Sequence, residues 1–73
     1  MAKKGESGVY RVTELVGTSS SSWEDAAKNA VQTAAGTIRD LRVAEITKLD
    51  MRLESGKVVQ FRARVSLSFK YEG

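Results

Sequence analysis

The sequence predicts an α+β domain in which a strand, a helix and two further strands follow one another along the chain. Three observations lead to this prediction. The closing stretch GKVVQFRARVSLSFKYEG alternates between apolar and polar residues, which is typical of a long strand with two unlike faces. Alanines between residues 26 and 35 recur every three or four positions and indicate an apolar helical stripe. Two further runs rich in β-branched and aliphatic residues lie before and after this stripe and predict the other strands.

The first strand is predicted in VYRVTELVG, where a glycine ends the run of strand-forming residues. Its alternation is imperfect. Tyr10, Val12 and Val16 share one side with Glu14, while Leu15 lies on the other side. Both sides carry apolar groups, so we expect both to be partly covered.

The run TSSSS supplies the start of the helix. Ser21 and Ser22 each stand three residues before a carboxylate, which is the spacing of a capping box, and Ser19 is an alternative cap. Glu24 and Asp25 suit the positive end of the helix dipole. The stripe that follows is mostly alanine, and small side chains let a helix lie close to a sheet. Its members are Trp23, Ala26, Ala27, Ala30, Val31, Ala34, Ala35 and Ile38.

The second strand is predicted in RVAEITKLDMRLESGK, and its apolar side changes part of the way along. Ala44 and Ile46 lie on one side, whereas Leu49 and Met51 lie on the other, so the phase switches near Thr47. A β-bulge, a strong bend or a different partner for the second half would explain the switch. The ESGK segment is a glycine-containing turn of hairpin type.

The last strand has one apolar face and one basic face. We expect the alanine-rich helix to cover the apolar face, which consists of Val59, Phe61, Ala63, Val65, Leu67, Phe69 and Tyr71. The opposite face holds Arg62, Arg64 and Lys70 and no carboxylate. These cations could pair with the second strand, where alternation places Glu45 and Asp50 on opposite sides of the pleat, or they could form an anion or ligand site. The sequence leaves both interpretations open.

The length and composition predict one small domain. The chain has 73 residues, which we divide into a disordered tail at residues 1–7 and a single domain at residues 8–72. A chain this short buries only about 60% of its unfolded surface, so its core is marginal. With no Cys and no His, it has no disulfide, no thiolate metal site and no histidine base. The absence of Cys fits a cytoplasmic protein, and no apolar run approaches the roughly 20 residues of a membrane span.

Oligomerisation is the favoured way to stabilise such a domain, and a hard cation held by carboxylates is the alternative. The helix can cover one face of the sheet, and nothing else in the chain is available to cover the other. Two long final strands would also expose unpaired edges, which proteins normally cover. A basic nucleic-acid-binding module is a competing interpretation, since the net charge is +3. The last strand disfavours it, because its aromatic side chains lie on the face opposite its cations and could not stack on bases between them.

Carboxylates are the candidate ligands for a hard cation such as calcium. They are Glu14, Glu45, Asp50 and Glu54. No EF-hand spacing is present, and solvated charge or ion pairing is the alternative role for each. A three-fold axis would turn one such carboxylate into three. The serine run, by contrast, lacks both a histidine base and a G-x-x-x-x-G-K phosphate loop, so we interpret it as a helix start.

The segments VYRVTELVGTSSSSWEDAAKNAV, LRVAEI and FRARVSLSFK together resemble the dodecins, over residues 8–71. The resemblance rests on the ELVGTS turn before an alanine-rich helix, the AEI strand and the closing V-x-x-S-F-K pattern. It implies a β-α-β-β subunit whose three-stranded antiparallel sheet partly wraps its helix. It also implies a hollow homododecamer with cubic-type symmetry and three-fold channels, which agrees with the oligomer inferred above.

The resemblance also implies a flavin site, but three of its four positions differ here. The stacking tryptophan is replaced by Val43, the glutamine by Arg62 and the strand-two arginine by Asp50, while Lys70 keeps its basic character. Val43 offers no aromatic face, so a stacking contribution of about 0.5–1.5 kcal/mol per contact is lost, and Asp50 would repel a phosphate. This pattern is similar to the dodecin branch without the tryptophan, for which calcium is the suggested ligand. We therefore predict a shell that binds, stores or buffers a small ligand or ion, with calcium ranked above riboflavin, FMN or FAD.

Overall fold

The computed structural model describes residues 8–71, so the tail predicted at residues 1–7 lies outside the described part of the chain. The elements follow in the predicted order: strand β1 at Tyr10–Ser19, helix α1 at Trp23–Ala35, strand β2 at Leu41–Glu54 and strand β3 at Lys57–Lys70. Strand β3 lies at the centre of a three-stranded sheet and pairs antiparallel with both β1 and β2. The α+β class and the β-α-β-β architecture are confirmed.

Helix α1 begins after Ser22, one of the three candidate caps. Ser22 is extended, and its hydroxyl accepts a hydrogen bond from the Asp25 backbone N–H at 3.0 Å. Ser19 secures the turn instead, because its hydroxyl accepts from the Ser21 N–H at 2.9 Å and donates to the Asp25 carboxylate at 2.8 Å. Two serines of the run thus have separate roles at the start of the helix.

The core lies between the alanine stripe of α1 and the odd-numbered side of β3. Small residues at this contact let the helix approach the sheet closely, and Gly17 of β1 lies directly beneath Ala26 and Ala30. Ala35 was predicted to belong to the stripe but is exposed at the end of the helix. The fully enclosed cluster consists of Ala26, Ala30, Ala34, Ala63, Val65 and Leu67.

Strand β2 contains the irregularity that its switching pattern predicts. Its pairing with β3 passes from Ile46↔Val65 to Lys48↔Arg64, so Thr47 is the extra residue of a bulge. The Thr47 hydroxyl donates to the Arg64 carbonyl at 3.3 Å. The bulge places the apolar residues of both halves on the helix side. We call these residues the β2 strip: Ala44, Ile46, Leu49 and Met51, which pair with Leu67, Val65, Ala63 and Phe61.

The same bulge corrects one sequence-based expectation. Strict alternation places Glu45 and Asp50 on opposite sides of the pleat. In the structure Glu45 pairs with Ser66 and Asp50 with Arg62, both of which are on the side of β3 that faces away from the helix. The extra residue at Thr47 shifts the alternation by one, so the two carboxylates share a face.

The hairpin between β2 and β3 closes through a tight turn. Ser55 and Gly56 have φ values of 51° and 77°, the positive values that a two-residue turn of type I′ requires. Within residues 8–71, no helix is both long and apolar enough to cross a membrane.

Candidate functional site

The candidate site is the sheet surface that faces away from α1, which we call the open face. Residues that pair directly across a sheet have their side chains on the same side, so the register defines its members. They run along β3 as Gln60, Arg62, Arg64, Ser66, Ser68 and Lys70; β1 adds Tyr10, Val12, Glu14, Val16 and Thr18, and β2 adds Val43, Glu45, Lys48, Asp50 and Arg52. No element among the described residues packs on this face.

The closest ion pair on the open face joins Arg62 to Asp50. Arg62 Nε donates to Asp50 Oδ1 at 2.7 Å, and its Nη2 lies 3.5 Å from Oδ2, so the guanidinium meets the carboxylate side-on. The hydrogen bond from Arg62 lowers the pKa of Asp50 below its ordinary value, and the same bond raises the pKa of Arg62. Both side chains remain partly exposed, at 37% and 52%. The positive charge of Arg62 and the negative charge of Asp50 therefore neutralise each other within the subunit.

Two further ion pairs lie on this sheet, one between strands and one within β2. Arg64 reaches sideways to Glu14 of β1, with 3.8 Å between its Nη1 and Oε1. Arg52 Nη1 donates to Glu54 Oε2 at 2.8 Å within β2, and its Nε lies 3.4 Å from the Gln60 oxygen. Pairing with the second strand, one of the two interpretations left open for the last strand, thus accounts for Arg62. Arg64 pairs with the first strand instead.

Glu14 and Glu45 lie in one row of the open face. Each is the register partner of Ser66, on opposite sides of β3. Their backbones are therefore two strand spacings apart, roughly 10 Å. The row presents carboxylate, hydroxyl and carboxylate oxygens across all three strands, and Glu45 makes no ion pair with another described residue.

The four carboxylates proposed from the sequence do not converge within one subunit. Residues 8–71 contain no group of three or more acidic side chains that could hold a metal ion. Asp50 and Glu54 are engaged by arginines, whereas Glu14 has only the long contact to Arg64. A complete cation site built from these residues requires carboxylates from more than one copy of the chain.

The four positions aligned with the flavin site fall into two separate groups. Asp50 and Arg62 form the ion pair in the middle of the hairpin. Val43 pairs with Ser68, and Lys70 lies two residues further on at the end of β3. Ser68 lies six positions beyond Arg62 along β3, which corresponds to roughly 20 Å along a strand. The two groups therefore lie at separate places on one subunit.

A cavity lies at the end of the sheet rather than on the open face. It has a volume of about 460 Å³ and is lined by Thr37, Ile38, Arg39, Asp40, Phe69 and Lys70. Of the residues predicted to form a site, it contains only Lys70, whose backbone N–H donates to the Asp40 carbonyl at 3.3 Å.

Sequence reasoning missed three residues that matter to this surface. Ser66 lies between the two glutamates, and Lys48 lies beside Arg64. Trp23, predicted as a packing residue, does pack edge-on against Phe61 but also hydrogen-bonds the Asp50 backbone. The alternation of β3 could have identified Ser66. The face on which Lys48 lies depends on the bulge, and the contacts of Trp23 depend on the tertiary fold. No local pattern in the sequence could therefore have identified either residue.

Comparison with known proteins gives one consistent result. The sequence profile of the Dodecin family matches residues 9–72. The calcium dodecin of Mycobacterium tuberculosis is 42% identical over 62 residues, which cover 85% of this chain and 87% of that protein. Its crystal structure, described as having a novel calcium-binding site, superposes with a TM-score of 0.79 at 41% identity, covering 88% of this chain and 91% of that one. The dodecin of Streptomyces coelicolor superposes with a TM-score of 0.85 at 37% identity, covering 92% and 96% of the two chains.

Proposed function

Because the chain belongs to the dodecin family, we propose that it is a non-enzymatic subunit of a hollow homododecamer that binds and buffers a small ligand or ion, with calcium as the favoured ligand. The match to the family supports the assembly and the binding role. The row Glu14–Ser66–Glu45 is the observation that carries the choice of a hard cation.

Uncovered apolar surface supports the assembly. The β2 strip lies on the helix side, yet the helix rests mainly on β1 and β3 and leaves most of the strip uncovered. Ile46, Leu49 and Met51 are 51%, 50% and 44% exposed. Val12 and Val43 on the open face are exposed as well. A small domain with exposed apolar surface on both sides of its sheet is suited to burial between subunits.

The mass of the purified protein tests the assembly. Twelve copies of an 8.0 kDa chain have a mass of about 96 kDa. We expect light scattering coupled to size-exclusion chromatography to give this mass. A monomer of 8.0 kDa at micromolar concentration would refute the proposed shell.

The oxygen donors of the open face support calcium over flavin. Calcium takes six to eight oxygen ligands in flexible geometry, and symmetry copies of Glu14 and Glu45 could supply carboxylates that one subunit lacks. A flavin would meet a valine at the stacking position, and a carboxylate at Asp50 that is already held by Arg62. Its phosphate would lie near that carboxylate, where like charges repel.

Calorimetry with calcium tests the ligand. We expect saturable binding to the assembled protein and at least a tenfold loss of affinity in E45Q and E14Q, because each substitution removes a charged ligand and leaves the side chain's size unchanged. The matched control is E24Q, which removes a carboxylate from the first turn of α1, away from the open face. Unchanged calcium binding in both E14Q and E45Q would refute this location.

A riboflavin titration decides between the two ligands. We expect no quenching of flavin fluorescence at micromolar protein. Submicromolar quenching that saturates at a fixed stoichiometry would show that the chain binds flavin despite Val43 and Arg62, and calcium would then lose its place as the favoured ligand.

A further inference from the structure

Trp23 joins the start of the helix to both strands of the β2–β3 hairpin. Its indole Nε1–H donates to the Asp50 carbonyl oxygen at 2.9 Å. Its ring meets Phe61 of β3 edge-to-face, with centroids 5.2 Å apart and an interplanar angle of 72°. Phe61 immediately precedes Arg62 in the chain. Trp23 therefore contacts the backbone of Asp50 directly and the residue next to Arg62. It does so from the helix side of the sheet, while the pair itself lies on the open face.

The place where Trp23 binds is a weakly supported part of the sheet. Strand β2 is an edge strand, so it is paired with β3 only. Its register with β3 shifts between Ile46 and Lys48 and again between Arg52 and Leu53. Asp50 is the central residue of the short regular segment between these shifts. The Trp23 hydrogen bond therefore fixes the middle of a segment whose two ends are irregular.

Three side-chain hydrogen bonds tie α1 to the sheet within the described residues. Two of them reach β1: the Ser19 hydroxyl donates to the Asp25 carboxylate at 2.8 Å, and Asn29 Nδ2 donates to the Thr18 carbonyl at 2.9 Å. Trp23 provides the third bond, and it is the one that reaches β2. The helix otherwise rests mainly on β1 and β3. The position of the β2 backbone at Asp50 relative to the helix thus depends on Trp23.

We propose that Trp23 is a positioning residue for the open face: by holding the Asp50 backbone and packing on Phe61, it keeps the Asp50 carboxylate in contact with the Arg62 guanidinium on the opposite side of the sheet. An exposed ion pair is weak when both partners are free to move, because forming it costs side-chain and backbone entropy. When Trp23 holds the Asp50 backbone, less backbone entropy is lost on forming the pair. Arg62 Nε and Asp50 Oδ1 lie 2.7 Å apart although both side chains are partly exposed.

The inference has a consequence for ligand binding that rests on the proposed function. If Arg62 is released from Asp50, a cation is placed free on the face where Glu14 and Glu45 would bind calcium. Loss of the Trp23 hydrogen bond should then change calcium binding through the freed charges of Arg62 and Asp50, without any change in Glu14 or Glu45 themselves.

A replacement that removes only the indole N–H tests the proposal. Trp23 is the chain's single tryptophan, so biosynthetic incorporation of benzothienylalanine, in which sulfur replaces that N–H, alters position 23 alone. The readout is the solvent-exchange rate of the Arg62 Nε–H, measured by NMR on the assembled protein without calcium. We expect exchange to accelerate by on the order of 2–10-fold, the factor that corresponds to one net hydrogen bond.

The matched control is N29A, which removes a hydrogen bond between the helix and β1 but leaves β2 untouched. We expect Arg62 Nε–H exchange in N29A to equal that of the unmodified protein. Unchanged exchange in the benzothienylalanine protein, or equal acceleration in N29A, would show that Trp23 only packs and would overturn the proposal. Because this measurement uses no calcium, its result is independent of whether calcium is the ligand.

A reciprocal measurement keeps the proposal testable if the replaced protein does not assemble. In protein with natural tryptophan, R62Q should shift the Trp23 indole N–H resonance, because releasing the Asp50 side chain loosens the backbone that accepts this hydrogen bond. R52Q is the control, since it breaks the neighbouring ion pair with Glu54. A Trp23 resonance that is unmoved in R62Q, or that moves equally in R52Q, would overturn the inference.

Discussion

Gly17 shows how one missing side chain sets the distance between helix and sheet. A Cβ at this position would overlap the Ala26 carbonyl oxygen and lie 2.9 Å from the Ala30 Cβ, closer than atoms in contact can approach. Strand β1 therefore passes directly beneath the helix only because position 17 is glycine. The alanines above it serve the same close approach from the helix side.

We predict that Gly17→Ala lowers the free energy of unfolding by roughly 1–3 kcal/mol, the usual cost of overpacking a core. The matched control is Gly36→Ala, where a new Cβ comes no closer than 3.4 Å to another atom and φ is −71°. This control should change stability by less than about 1 kcal/mol, and in the stabilising direction. Denaturant unfolding at one fixed protein concentration provides the comparison, since assembly adds to apparent stability. Equal effects of the two substitutions would contradict the packing argument.

The Asp50–Arg62 pair predicts a pH dependence with a definite sign. Arg62 lowers the pKa of Asp50 below its ordinary value near 3.8. A carboxyl whose pKa is lower in the folded state stabilises that state above its unfolded pKa, and this contribution disappears as the pH falls through the lowered value. We expect the Asp50 carboxyl in R62Q to titrate at a higher pH than in the unmodified protein, as measured by ¹³C NMR. Identical titration curves would show that the ion pair does not persist in solution.

At the scale of elements, the Thr47 bulge determines which face of the sheet each side chain of β2 occupies. If Thr47 instead continued the regular alternation of the strand, the apolar residues of β2 would be divided between the two faces of the sheet, and so would Glu45 and Asp50. With it, the β2 strip lies on the helix side and the carboxylates lie on the open face. Because Thr47 is accommodated as a bulge, the apolar side chains of both halves stay on one surface and the two carboxylates stay on the other.

We predict that deleting Thr47 preserves the fold, because removal of the extra residue leaves the residues before and after it on the faces they already occupy. Cross-strand NOEs from Ala44 to Leu67 and from Leu49 to Ala63 should both persist. The contrasting variant inserts one alanine after Arg62, in the middle of the regular part of β3 that pairs with residues 48–52, where no bulge exists to absorb it. That insertion would turn half of the central strand to the wrong face, and we expect it to prevent folding. Loss of either NOE in the deletion variant would contradict this account of the bulge.

At the scale of the whole molecule, the exposed β2 strip is the feature that connects the fold to assembly. An isolated subunit leaves these side chains half exposed, and it leaves the open face uncovered within the described residues. Substitution on an exposed strip costs a monomer little, usually within about 0.5 kcal/mol. The same substitution buries a charge if the strip lies between subunits.

We therefore predict that Leu49→Lys reduces the assembly to smaller species in light scattering while circular dichroism keeps the α+β signature. The control is Ala35→Lys, which adds the same charge at an exposed helix position and suits the negative end of the helix dipole. An intact assembly in Leu49→Lys would show that the strip lies outside the subunit interfaces.

The sequence predicted which side chains of β3 lie together on one face of the sheet. It did not predict which residues of the neighbouring strands those side chains contact. Alternation in β3 correctly grouped Arg62 and Arg64 and left cross-strand pairing open. It could not choose Asp50 for the first and Glu14 for the second, because the first choice depends on the bulge in β2 and the second on β1 being the other neighbour of β3. The placement of the four candidate cation ligands in a complete site remains a prediction.

The sequence by itself determined the order of the elements, the alanine stripe of the helix and the two faces of the last strand, because side-chain periodicity is a local property of one element. It also located the irregularity at Thr47, since a change of phase is visible within a single strand. Only the tertiary structure decided that β3 is central, that Glu45 and Asp50 share a face, and that Trp23 reaches across to Asp50. These are properties of pairing between distant segments, and a hydrogen-bond register is settled by the packing of all three strands against the helix rather than by any one of them.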